Sequence, residues 1–277
     1  MSDTGPDATL IVGLHGVLER HPWINRVSAE LDVDEDVFSL AVKRASAYAW
    51  SSTALTDKSA DNLWDHNDAD GDWTQDGQIR QLAWLQSSLP RPVNTPGKKQ
   101  RARRLPVLPV ITVLSDALRR IGTVRLTGTH ALVPLHRAGD ARIELAEVAD
   151  WFALADPSGA ASLTVTVSAL PSANLAARAA EIREAALERT YQHMTVEARK
   201  PAGTMTPGLA HPLAGEVQAE GLRRALVFRC DVREWSTDVA AWTTEVFADS
   251  IRAVTGLSGL ILITVSSKVG NPPGVDA

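Results

Sequence analysis

The C-terminal part of the chain carries the pattern that most narrows the folds available to it. An alternating apolar segment at residues 225–232 is followed by apolar residues at helical spacing and then by an unbroken apolar stretch from Leu260 to Val265. Ser236 or Thr237 can cap the start of the helix, and Gly256 can end it. The pattern predicts strand, helix and strand, an order that favours parallel pairing through a right-handed crossover.

Other segments of this part predict further elements of a mixed sheet. The apolar stretch 260–265 indicates a central strand buried on both faces, whereas the alternation at 162–169 indicates an edge or one-sided strand. Ser172 can cap a long helix over 173–193. Residues 195–222 hold several prolines and glycines and show no clear helical or strand periodicity. Because this segment is long for a plain connection, we expect a mobile or functional loop there.

The middle of the chain predicts a helix, two short strands and another helix. Apolar spacing after Pro109 favours a helix closed by Gly122. Strands at 123–126 and 130–135 would pair as a hairpin, and residues 144–154 would form a short helix.

The N-terminal part has mainly helical spacing. Leu10, Leu14 and Leu18 predict a first helix, and a second pattern predicts a short helix near residues 79–85. Residues 24–49 fit either a hairpin or two helices, the second with Asp36 as its N-cap.

Together these patterns predict an α+β fold in which a helical N-terminal region precedes a mixed sheet, with βαβ order in the C-terminal third. A segment with five prolines and many basic residues separates the two parts. The predicted divisions are a helical region with an acidic, tryptophan-containing loop (1–89), a basic proline-rich linker (90–108), a mixed-sheet domain (109–267) and a flexible tail (268–277).

Composition limits the functional classes. The chain has 277 residues, a net charge of −5 and one cysteine, Cys230. An acidic balance argues against general nucleic-acid or anionic-membrane binding, and a single cysteine cannot form an intrachain disulfide. The first residues resemble neither a signal peptide nor an anchor, and the preference for Arg over Lys is a habit of GC-rich bacterial genomes. We therefore expect a soluble protein of the bacterial cytoplasm with no membrane partner.

The strongest local charge feature is basic. Five positive charges lie within seven residues, where they could contact phosphates or an acidic protein partner, or remain a solvated linker. The residues are Lys98, Lys99, Arg101, Arg103 and Arg104.

Eight tryptophans are many for a chain with only 5% aromatic residues. Trp64, Trp73 and Trp84 cluster beside the acidic stretch, and tryptophan is enriched at the centres of binding interfaces, so these three are predicted to form a protein-facing surface. Trp151 and Trp242 are predicted to lie in the core.

The acidic stretch itself is a candidate metal site. Asp68, Asp70 and Asp72 bring several oxygen ligands together, as a divalent cation requires, although the spacing does not match a calcium-binding loop because Gly77 stands where a glutamate belongs. No other cofactor is predicted.

No phosphate loop, dinucleotide fingerprint, zinc motif or serine nucleophile elbow is present in the sequence. The leading hypothesis is therefore a non-catalytic protein-interaction or assembly component of the bacterial cytoplasm, with another protein as partner. Two alternatives stay open: nucleic-acid binding through residues 98–104, and a metal-dependent enzyme built on the acidic loop.

Overall fold

A computed structural model describes residues 8–31, 36–52, 63–89, 104–200 and 206–267. Within these ranges the chain forms nine strands and six α-helices, and the first element is a strand. The strands are β1 (Thr9–Arg20), β2 (Ser51–Ser52), β3 (Trp64–Asp70), β4 (Arg80–Ser88), β5 (Gly122–Pro134), β6 (Ala161–Ala169), β7 (Thr195–Arg199), β8 (Arg223–Val232) and β9 (Leu260–Ser267). The helices are α1 (Ile24–Leu31), α2 (Val37–Ala47), α3 (Val107–Ile121), α4 (Arg142–Phe152), α5 (Ala179–Arg189) and α6 (Thr237–Thr255).

All nine strands belong to one sheet with the order β2-β3-β4-β1-β5-β9-β6-β8-β7. Every neighbouring pair is antiparallel except for the two-residue strand β2, which runs parallel to β3. The fold is α+β, as the sequence predicts, but its sheet is antiparallel where a mixed sheet was expected.

The sheet consists of two halves with the same topology. In the first, β1, β3, β4 and β5 lie in the spatial order β5-β1-β4-β3; in the second, β6, β7, β8 and β9 lie in the order β9-β6-β8-β7. Helices follow the first strand and the third strand of each half, which gives the β-α-β-β-α-β order of ferredoxin-like units. The halves join through β5 and β9.

The helical N-terminal region is a wrong prediction. Residues 9–20 form β1, an interior strand between β4 and β5. Leu10, Leu14 and Leu18 are four residues apart, and this spacing places side chains on one face of a strand as well as of a helix. Val12 also points to that face, and the strand is buried on both sides, so no alternation of apolar and polar residues marks it as a strand.

The predicted parallel pairing in the C-terminal third is also wrong. β8, α6 and β9 do form a strand-helix-strand unit, but β6 lies between the two strands and pairs antiparallel with both. This position makes β6 an interior strand, which rules out the edge position and leaves the one-sided strand that its alternating sequence also allowed. Its polar side chains face the sheet surface that carries no helices.

Three other elements differ from expectation. Residues near 79–85 belong to β4, where Ala83 and Leu85 are buried in the core and Trp84 between them faces the other side of the sheet. The predicted hairpin at 123–135 is the single strand β5. The predicted helix at 173–193 begins with two short 3₁₀ turns, and its regular part is α5.

Of the two alternatives left open for residues 24–49, a hairpin or two helices, the structure has the helices α1 and α2, and the Asp36 carboxylate accepts the Ser39 amide at 2.8 Å as the N-cap of α2. Several predictions elsewhere in the chain are confirmed. α3 ends at Gly122, α4 lies where expected, and Ser236 caps α6. Gly256 ends α6 with a φ of 64°, a left-handed conformation that suits glycine.

The two faces of the sheet are covered differently. α2, α3, α5 and α6 pack side by side on one face and enclose the apolar core. In the chain, residues 206–222 lie between β7 and β8. They cross the opposite face of the sheet and are called the strap below. No described helix is both long and apolar enough to cross a bilayer.

The predicted linker at 90–108 is described only from Arg104 onward, where it leads into α3. Residues 90–103 and the predicted tail at 268–277 lie outside the described residues.

Candidate functional site

α4 is held to the rest of the protein by its inner face. Leu145, Ala149 and Phe152 are buried, and the rings of Phe152 and Trp242 lie 5.0 Å apart. The indole Nε1 of Trp242 donates to the carbonyl oxygen of Leu145 at 3.3 Å. These contacts fix α4 on the outside of α6, so the other side of α4 faces solvent.

This outer side exposes large apolar side chains. The exposed fractions are 60% for Ile143, 65% for Trp151 and 83% for Leu154, which lies in the turn directly after the helix. Tyr191 extends from the end of α5 and donates its hydroxyl to the Arg142 carbonyl oxygen at 3.1 Å. We call Ile143, Trp151, Leu154 and Tyr191 the α4 surface.

Acidic residues lie among the apolar side chains of the α4 surface. Glu147 and Asp150 are exposed on the same helix. Glu147 is four residues from both Ile143 and Trp151, so it lies between them on one face of the helix. Asp140, at the start of this segment, is paired with Arg142 at 3.2 Å. The surface therefore carries interspersed apolar and negative side chains, which suit a protein contact better than a phosphate.

The three tryptophans predicted as an interface lie in three different environments. Trp64 is fully buried, with its ring 6.4 Å from Trp50. Trp73 is partly buried, and its Nε1 donates to the Leu82 carbonyl oxygen at 2.7 Å. Trp84 is partly buried on the strap side of the sheet, opposite Gly13 of β1. The structure does not bring them together into one surface.

Trp151 is the tryptophan that the prediction misplaced. Both Trp151 and Trp242 were predicted to lie in the core. Trp242 is buried, as predicted, whereas Trp151 is exposed. The sequence contains a signal for this: the stripe formed by Leu145, Ala149 and Phe152 is complete at helical spacing and leaves Trp151 outside it.

Of the basic cluster, only Arg104 belongs to the described residues, and it is engaged internally. Its Nε donates to Oε2 of Glu245 on α6 at 2.5 Å, while Oε1 accepts the Leu108 amide at 3.0 Å. Glu245 thus binds the start of α3, which has no side-chain cap of its own. Burial raises the pKa of the Glu245 carboxyl, although Arg104 opposes this shift. Lys98, Lys99, Arg101 and Arg103 lie outside the described residues.

The predicted metal ligands are spread along β3 and the loop after it. Asp68 and Asp70 are exposed, and Asp70 accepts the Gly71 amide at 2.7 Å. Asp72 accepts the Thr74 amide and pairs with Arg80 at 3.2 Å. In the part of the chain that the structure describes, no three His, Cys, Asp or Glu side chains are grouped as a metal ion requires.

A buried histidine pair lies on the strap side of the sheet. Nε2 of His15 in β1 is 2.8 Å from Nδ1 of His130 in β5. The Ala210 amide donates to Nδ1 of His15 at 3.1 Å, and Nε2 of His130 lies 3.1 Å from the carbonyl oxygen of Ala214. Since an amide can only donate and a carbonyl can only accept, both rings are neutral and carry their proton on Nε2.

Burial disfavours a charge on either ring. His15 is fully buried and His130 is 1% exposed. Desolvation, followed by the nearby His130 and His211, lowers the pKa of His15 to about 2. Desolvation also lowers the pKa of His130 to about 4. The sequence analysis missed this pair because it assigned residues 9–20 to a helix.

A small depression lies beside α4 as well. It is lined by Phe152, His193, Arg233 and Trp242 among others and holds about 250 Å³ including open solvent. Its enclosed space is only about 10 Å³, room for about one water molecule, so it does not form a small-molecule site.

The chain matches no protein-family model, no curated protein and no solved structure. The α4 surface offers a place for a macromolecular contact, and the histidine pair offers a buried, fully hydrogen-bonded connection between the sheet and the strap.

Proposed function

We propose that this chain is a non-catalytic protein-interaction component of the bacterial cytoplasm and that it binds its partner on the α4 surface. The observation that carries the proposal is the exposure of Ile143, Trp151 and Leu154 along one side of a helix whose opposite side is firmly packed. Such side chains gain roughly 25 cal/mol for each Å² of apolar area that a partner removes from water.

The rigidity of α4 supports this role. Phe152 and Leu145 anchor the helix to Trp242, so the exposed side chains are held in place before binding. A preorganised surface loses less conformational entropy on binding than a flexible one. Trp151 is the expected energetic centre of the contact because tryptophan dominates measured binding hot spots.

The acidic residues of the surface indicate the chemistry of the partner. Glu147 lies between Ile143 and Trp151 on the helix, and Asp150 is next to Trp151 in the chain, so the complementary surface would carry apolar residues interspersed with Lys or Arg. A basic amphipathic helix has these properties and would lie along α4.

The cysteine content supports the cytoplasmic assignment. The single cysteine, Cys230, is buried in the sheet, so the core forms without an intrachain disulfide. The preference for Arg over Lys supports the bacterial assignment.

The test is a pull-down of the tagged chain from its own organism, washed at low and at high salt, with Leu154→Asp beside the unmodified protein. Val217→Asp is the matched control. Val217 is 84% exposed and Leu154 is 83% exposed, but Val217 lies in the strap and not on the α4 surface. We expect one stoichiometric protein that survives the high-salt wash, is lost with Leu154→Asp and is retained with Val217→Asp.

Two results would overturn the proposal. One is a partner that Leu154→Asp retains, which would place the contact elsewhere. The other is nucleic acid that elutes at high salt, which would favour the basic segment 98–104 as the binding element.

A further inference from the structure

The strap is attached to the middle of the sheet by a small number of specific contacts. The Gly208 carbonyl oxygen accepts the Thr127 hydroxyl at 2.7 Å, and the Ala214 amide donates to Oε1 of Gln81 at 2.9 Å. Between these two points lies the histidine pair, which receives a hydrogen bond from Ala210 and gives one to Ala214. A continuous line of hydrogen bonds therefore runs from the strap through two imidazoles and back to the strap.

All of these hydrogen bonds can form together with only one placement of the imidazole protons. His15 must accept at Nδ1 and donate at Nε2, and His130 must do the same. A proton added to His15 would point an N–H at the Ala210 amide, and a proton added to His130 would point an N–H at Nε2–H of His15. Each protonation thus replaces an attractive contact with two opposed donors at a site where both imidazoles are buried.

The groups around the pair offset such a charge only in part. Glu216 of the strap favours a charge on His130, whereas His211 opposes a charge on either ring, and these two side chains are paired with each other at 3.3 Å. The positions of the sheet that face the pair from β4 and β9 are Gln81, opposite His15, and Thr264, opposite His130. Neither side chain titrates, and Glu216 also accepts the Leu213 amide within the strap.

We propose that His15 and His130 form an acid-sensitive latch: protonation of the pair releases the strap from the sheet and uncovers the second face of β1 and β5. The surface beneath the strap includes Ile11 and Leu132, which lie against Gly215 in the closed form. The released form therefore presents an apolar strip that the closed form hides.

The size of the effect follows from linkage. A histidine in the open form has an ordinary pKa of about 6.5, whereas the pKa of His130 is about 4 and that of His15 is about 2 in the closed form. Lowering the pH from 7.5 to 5 then raises the opening constant by up to about 30-fold for each histidine. The opening of the strap should rise at least about tenfold over this interval.

Hydrogen exchange measured by mass spectrometry tests the latch on the full chain at pH 7.5 and pH 5, after correction for intrinsic exchange rates. We expect peptides from 206–222 to lose at least about tenfold in protection, relative to peptides from α6, at the lower pH. Equal loss in both regions, or no loss in the strap, would overturn the proposal.

Two variants locate the response. His15→Gln/His130→Gln replaces both rings with side chains that do not titrate, so strap protection should no longer depend on pH. His211→Gln should keep the response; if it abolishes the response instead, the switch belongs to His211 and the proposal is wrong. His136→Gln is the control because His136 is exposed and lies away from the strap.

A measurement on the unmodified protein covers the case in which the double variant does not fold. Nitrogen-15 NMR of the imidazoles should show both rings as neutral Nε2–H tautomers at pH 7.5. An Nδ1–H tautomer on either ring, or titration of both near pH 6.5 with the strap still protected, would overturn the latch.

Discussion

Gly13 of β1 and His130 of β5 face each other across the sheet, and the His130 imidazole fills the space that a side chain on residue 13 would need. A Cβ built on Gly13 would stand 2.2 Å from Cε1 of His130. The glycine is therefore required by close approach, and the ring it admits is the one that connects the sheet to the strap.

Gly13→Ala should displace the His130 ring, break its bond to His15 and lower the free energy of unfolding by about 1–3 kcal/mol, the usual cost of overpacking. Gly259→Ala is the control, since nothing lies within 4 Å of a Cβ at that position. Urea unfolding followed by circular dichroism measures both. Equal unfolding midpoints for the two variants would contradict the account.

Mild acid, between pH 7.5 and pH 5, should already destabilise the whole chain. His15 and His130 stay neutral when folded but bind protons when unfolded, so their contribution to stability is complete above pH 6.5 and is lost as the pH falls below it. At pH 5 each costs about 2 kcal/mol. His66, whose pKa burial lowers to about 4, adds less because its side chain is only partly buried.

The measurement is the urea midpoint at pH 7.5, 6 and 5. His15→Gln/His130→Gln should remove most of the dependence and leave the part due to His66. A midpoint that stays constant between pH 7.5 and pH 5 would show that the pair does not exclude protons in the folded state.

Arg104→Ala should destabilise the protein by about 3–5 kcal/mol because it leaves the buried Glu245 carboxylate without its cation. Arg104→Met combined with Glu245→Leu should cost much less, since no charge then remains buried. Arg120→Ala is an exposed control that should change stability by less than about 0.5 kcal/mol. Thermal unfolding of the three variants distinguishes this structural role of Arg104 from a role in binding alone, which predicts no loss of stability.

The two tryptophans beside α4 should respond in opposite ways. Trp242→Ala should cost about 3–5 kcal/mol of folding free energy because the side chain is 1% exposed and packs on Phe152. Trp151→Ala should change stability by less than about 0.5 kcal/mol. Chemical unfolding measures both, and a large loss with Trp151→Ala would give that residue a structural role instead of a binding one.

The parts of the fold that could be predicted are those with local signals. α6 has a capping serine, a regular apolar stripe and a terminal glycine, and each of these acts within a few residues. β1 has no such signal because it is buried on both faces, and its leucines at spacing of four fit a helix equally well. The insertion of β6 between β8 and β9 depends on contacts between distant residues, which no local pattern records.

The candidate site was predictable only in part. The outward position of Trp151 follows from the stripe on α4, whereas the burial of Trp64 depends on packing against Trp50 and His66. His15 and His130 are 115 residues apart, and they meet only because β1 pairs with β5. Of the segment 195–222, where a mobile or functional loop was expected, Thr195–Arg199 forms β7 and residues 206–222 lie across the sheet, a placement that depends on contacts with distant strands.

Site-specific photo-crosslinking in the native host tests the central claim, binding on the α4 surface, most directly. A photoreactive phenylalanine analogue replaces Trp151 in one sample and Trp23, which is 50% exposed and distant from α4, in the other. The account predicts a defined protein adduct from position 151 that Leu154→Asp abolishes, and none from position 23. The same adducts from both positions, or none from position 151, would contradict it.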